Sequence, residues 1–141
     1  MSKTALLNLI VGFIAIFTAA AAGAFLGLEI TENSVAKMSE SWSLTLRKSA
    51  HGHTNLFGYL HILFGLTIPY SRLSMRMKNY QTVGLIAGTL AMSVGMYLRS
   101  FSQPSTDVDL LSIVVAAGLT LALTAIALHI YGLILKFTER N

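Results

Sequence analysis

Two histidines stand in apolar runs, each bracketed by residues with almost no side chain. In TNLFGYLHILFGLTIPY, His61 has Gly58 three positions before it and Gly65 four after. In LALTAIALHIYGLIL, His129 has Ala125 four before and Gly132 three after, and Ala122 and Gly118 continue the same stripe. Residues three and four apart share a helix face, so each imidazole stands in a shallow trough of bare backbone. A flat macrocycle needs such space. A His on each of two facing helices can ligate a haem iron from both sides, and intramembrane ionisable residues are functional by default. The packing alternative is that each ring hydrogen-bonds a neighbouring helix across a small-residue groove.

The depths of the two rings agree with this reading. His61 lies ten residues before Ser71, where the second apolar run ends, and His129 lies seven before Lys136. At 1.5 Å per residue the offset is roughly 4–5 Å, within what helix tilt absorbs.

A second cluster opens the same run. His51 and His53 form an HGH element followed by Thr54 and Asn55. Two His in three residues at a helix start can chelate copper or zinc, supply a haem ligand, or stay solvated. A second haem would need a partner at the same depth, which Met92 or Met96 on the third run would provide, because His/Met is an established axial pair. Met in a core is otherwise a packing residue. Arg99, Arg47 and Lys48 flank this level and would pair with haem propionates or anchor the helices at the interface.

The elements that must hold these residues are membrane spans. The chain has 141 residues, 54% hydrophobic and 11% charged, with a mean hydropathy of +0.65; soluble domains carry about 25% charged residues. Apolar runs at about 5–28, 52–70, 81–98 and 110–135 predict an all-α, four-helix transmembrane bundle in a single domain over 1–141. The N-terminal run exceeds the usual signal-peptide core and reads as a retained span. Lys3, Arg72, Arg76, Lys78, Lys136 and Arg140 fall on one side of a four-span chain, which predicts both termini in the cytoplasm. In the first outer loop, Val35, Met38, Trp42 and Leu46 recur at helical spacing and predict a short interfacial helix. No cysteine is present, which excludes disulfides, thiolate metal sites and covalent haem attachment; any haem would be non-covalent haem b. The net charge of +4 is explained by loop Lys and Arg and gives no support for nucleic-acid binding.

HGHTNLFGYLHILFG resembles the early His-rich helix of haem–copper oxidase and nitric-oxide-reductase catalytic subunits, and small oxidase-subunit-I-like membrane proteins with a His-x-His element before Leu-Phe-Gly. The resemblance covers one helix of the four. It implies His51 or His53 as an axial ligand of a low-spin haem, with Asn55, Leu56 and Gly58 matching the flank. The chain has far fewer spans than those subunits and lacks the His-Tyr and paired-His elements of their copper-bearing centre, so the resemblance implies haem without oxygen or nitric-oxide reduction by this chain alone.

The expectation is therefore a membrane b-type cytochrome, with haem between the second and fourth spans on His61 and His129. Gly58, Gly65, Ala125 and Gly132 would form its cradle and Arg99 a propionate partner. His51 and His53 would serve copper or a second haem. It would pass electrons to or from quinone or a partner redox protein in a bacterial inner membrane, alone, as a homo-oligomer or within a complex. An open axial position would make it a gas-binding or oxidase-like protein. The rivals are a non-catalytic accessory subunit and an outer-side copper- or zinc-binding protein.

Overall fold

The computed structural model describes the backbone of residues 1–33, 42–102 and 108–139, and the side chains of these apart from 29–33. It is all-helical: α1 (Lys3–Asn33), α2 (Trp42–Thr67), α3 (Met75–Arg99) and α4 (Leu110–Thr138). Three of the four, α1 over Lys3–Leu28, α3 and α4, are long and apolar enough to cross a membrane. Their outward faces carry Phe13, Phe17, Val83, Leu123 and Ile130, all exposed, and a helix apolar all round is the pattern of a span. Helix α2 differs because its first half, WSLTLRKSAHGHTN, is polar.

Local signals set the boundaries. Pro69 sits in a 3-10 turn at Ile68–Tyr70 that ends α2, since the residue before proline is pushed out of the α region. The Ser74 side chain accepts from the Met77 amide and starts α3, six residues before the apolar run expected at 81. Asp109 caps α4 by accepting from the Ser112 amide at 2.7 Å. The interfacial helix expected in the first loop is replaced, in its described part, by α2 itself. Trp42 to Ala50 contain neither glycine nor proline, so α2 simply begins earlier; residues 34–41, with Val35 and Met38, lie outside the described residues.

Small residues draw the helices together in two antiparallel pairs. In the α1–α2 pair, a Cβ on Gly12 would lie 2.8 Å from the Gly58 carbonyl oxygen, and one on Gly65 would lie 2.9 Å from that of Ala5. In the α3–α4 pair, Gly88 meets Ala122 and the Gly118 carbonyl, while Gly118 meets Ala91. Such approach is what associates helices in lipid, where burial offers no gain. A core of Phe57, Phe64, Leu85, Met92, Ala122 and Ala125 joins the two pairs. At one end of the bundle, Thr4 donates to Asn79 at 2.6 Å and the Arg72 amide donates to the Gly132 carbonyl at 3.0 Å. That end gathers Lys3, Arg72, Arg76, Lys78 and Lys136 and is called the basic end below. The opposite end holds Trp42 and Arg99.

Within α3, Ala91–Gly95 winds as a π-helix. Such turns are rare and frequently stand at functional sites. This one carries Met92 and Ser93.

Candidate functional site

His61 is fully buried, and its two ring nitrogens meet groups from α1 and α3. Nδ1 stands 2.9 Å from Asn8 Oδ1 and Nε2 stands 3.1 Å from Thr89 Oγ1. The tautomer follows from the neighbours. Asn8 Nδ2 donates to the Thr4 carbonyl at 3.0 Å and to Thr82 Oγ1 at 2.7 Å, so Asn8 Oδ1 must be the atom facing His61. It can only accept, so Nδ1 carries the proton and donates. Nε2 then faces the Thr89 hydroxyl, whose single proton is shared between Nε2 and the Leu85 carbonyl at 2.8 Å. A polar chain thus crosses three helices in an apolar interior, with His61 Nδ1 and the Asn8 amide group all paired.

His129 points elsewhere. Its Nε2 meets Thr67 Oγ1 on α2 at 2.8 Å, and its ring stacks on Phe64 with centroids 4.2 Å apart. Its Nδ1 is buried without a partner, as are both amide atoms of Gln81 on α3. The two expected axial ligands therefore serve different contacts. The brackets around them are filled as well: Gly58 and Gly65 by Ile16 and Leu9 of α1, Gly132 by Ser71 and Leu73, and Ala125 lies against Gly84. In this packing the troughs are seams between helices.

The other expected residues converge at the Trp42 end, around two cavities on opposite sides of α2. One, of about 440 Å³, lies between α1, α2 and α3 and is lined by His51, Arg47, Ser93, Tyr97, Ala22 and Phe25 among others. The second, of about 520 Å³, lies between α2, α3 and α4 and is lined by Trp42, His53, Met92, Met96, Arg99 and Ser112 among others. Both are of the size of small-molecule and cofactor sites. The π turn of α3 borders both, giving Met92 to one and Ser93 to the other.

Arg99 organises the second cavity's rim. Its guanidinium lies over the Trp42 ring, 5.4 Å from the centroid, within cation–π range. It donates to Ser112 Oγ and lies 3.8 Å from Asp109 Oδ1, tying the end of α3 to the starts of α2 and α4. Hydrogen bonds from the Ser112 hydroxyl and amide, with the Arg99 charge, hold the Asp109 carboxyl below its usual range. Two donors at this rim, Arg99 Nε and Trp42 Nε1, are buried without acceptors.

Among the described residues, no group of three or more His, Cys, Asp or Glu side chains could hold a metal ion. His51 and His53, the two histidines of the HGH element, line different cavities. What the structure brings together is one imidazole with two thioethers, His53 with Met92 and Met96. Sequence reasoning had those residues but not their partner Trp42, nor Asn8, Thr82 and Thr89 around His61. An asparagine inside the apolar run LLNLIVG was the available signal for the last group.

Comparison with protein-family models, curated proteins and solved structures finds no match for this chain.

Proposed function

We propose that this chain is a small membrane b-type cytochrome whose haem is held in the cavity shared by His53, Met92, Met96 and Arg99. The observation that carries the proposal is the convergence in one cavity of a His/Met donor set with two buried donors that lack acceptors. Imidazole and thioether are an established axial pair. Arg99 Nε and Trp42 Nε1 would receive the propionate carboxylates, a charge-assisted role for which the arginine fork is suited. His53 is also one of the two histidines that the oxidase-like resemblance nominates. Bound haem would supply a one-electron redox centre; the protein's part is to orient it and set its surroundings.

The same reading makes the chain an integral membrane protein of four spans, with α2 as the shielded, more polar member. The basic end would face the cytoplasm by the positive-inside rule, which puts the cavities on the outer side of, in a bacterium, the inner membrane. Expression with ample haem and an absorption spectrum of the purified protein tests the proposal. A preparation that stays colourless would sink it.

One imidazole and two thioethers are also a soft donor set that suits Cu(I). That second reading predicts a colourless protein that binds one cuprous ion and loses it when His53 is replaced.

A further inference from the structure

The cavity on the His51 side of α2 has unmet hydrogen-bonding groups on two facing helices. Asn55 Nδ2 lies 3.4 Å from His51 Nε2. An amide nitrogen can only donate, so Nε2 accepts and the neutral ring carries its proton on Nδ1. That Nδ1 is buried and has no acceptor, and neither does the buried hydroxyl of Ser93 on the facing π turn of α3. Unpaired buried donors cost free energy and call for an explanation. Most of the remaining wall is apolar, with Ala19, Ala22 and Leu26 from α1 and Val94 from α3, and Arg47 and Thr54 of α2 add polar groups.

The opening follows from how α1 and α3 meet. Their hydrogen bonds, Thr4 to Asn79 and Asn8 to Thr82, lie toward the basic end. Near the Trp42 end the cavity intervenes, flanked by the exposed Phe25 and Tyr97. A ligand would enter sideways through apolar surface, so it must dissolve in lipid, and it must bring acceptors for two donors on separate helices.

We infer that this cavity binds the ring of a lipid-soluble dione, a quinone headgroup, with its carbonyl oxygens as acceptors for His51 and Ser93. The claim goes beyond the haem proposal and does not depend on it. Haem content is read separately by absorption, so either can fail alone.

The test uses the full chain in detergent, with 2-decyl-1,4-benzoquinone as probe, decylbenzene as its carbonyl-free counterpart, and equilibrium dialysis as readout. Saturable binding of the dione, about tenfold or more tighter than decylbenzene, is expected. Ser93→Ala and His51→Phe should each weaken it by roughly five- to tenfold, the effect of one hydrogen bond. Ala22→Trp should abolish it by filling the cavity, with helicity checked by circular dichroism; Ser93→Ala, the smallest change, decides the matter if that variant misfolds. Equal affinity for the two probes would overturn the inference, as would unchanged affinity in Ser93→Ala. Full displacement of the dione by phosphatidylglycerol, making the cavity an ordinary lipid groove, would overturn it too.

Discussion

His51 and His53 are two residues apart on α2, yet they line different cavities. Two residues turn a helix by about 200°, so the rings leave opposite sides of one shaft. His51 lies with Ser93 and Tyr97, against Gly23 of α1; His53 lies with Met92, Met96 and Arg99. This separates two sites that the HGH spelling joins, and it gives the two histidines separable phenotypes.

The first prediction concerns haem. His53→Ala should remove the low-spin absorbance, and Met92→Leu with Met96→Leu should at least convert it to a high-spin form. His61→Ala and His129→Ala should keep the spectrum. Spectra of these variants, normalised to protein, check it; loss of absorbance in His61→Ala alone, with His53→Ala unaffected, would return the site to the glycine-bracketed pair.

The polar chain at His61 should behave as one unit. Asn8→Ala leaves the buried Nδ1–H without an acceptor, so it should destabilise the bundle by about 1–2 kcal/mol. Thr89→Ala should cost less, because Nε2 loses a donor without stranding a proton. A double-mutant cycle of Asn8 and His61 by denaturant titration should give a coupling of about 0.5–1.5 kcal/mol. Additive effects would show that the contact is not maintained in the membrane-mimetic solution.

Glycines should divide by what their missing Cβ would meet. Gly12→Ala presses on the Gly58 carbonyl at 2.8 Å and Gly88→Ala on that of Gly118 at 2.7 Å. Both neighbours are backbone, so helices must separate, and each change should cost about 1–3 kcal/mol. Gly27→Ala and Gly52→Ala meet nothing within 4 Å and should be neutral or slightly stabilising through helix propensity. Thermal unfolding in detergent ranks the four.

Acid should loosen the Trp42 end through Asp109. Its folded-state pKa lies below the ordinary 3.8 because the ionised form accepts from Ser112 and faces Arg99. The stabilisation is therefore complete above 3.8 and fades as pH falls through the lowered value. Asp109→Asn should remove that acid sensitivity while keeping a side-chain oxygen at the cap. Hydrogen exchange of the amides in the first turn of α4, followed from pH 5 to 2, checks it.

Composition and apolar run length determined the class of this protein on their own. A span is specified by local hydropathy, so α1, α3 and α4 were legible, and the absence of cysteine excluded disulfides and thiolate chemistry. Capping residues refined the ends: Ser74 extended α3 backward, and the unbroken stretch from Trp42 lengthened α2 into what read as a loop. The glycine brackets at His61 and His129 were also legible, but their meaning was not. Bare backbone admits a cofactor and a neighbouring helix equally well, and in the structure α1 packs on Gly58 and Gly65. Likewise, Asn8 lies 53 residues from His61, and His53, Met92 and Arg99 come from two helices whose rotation about their axes sequence leaves free. Tertiary structure fixes that rotation because close approach is possible only where the small residues align.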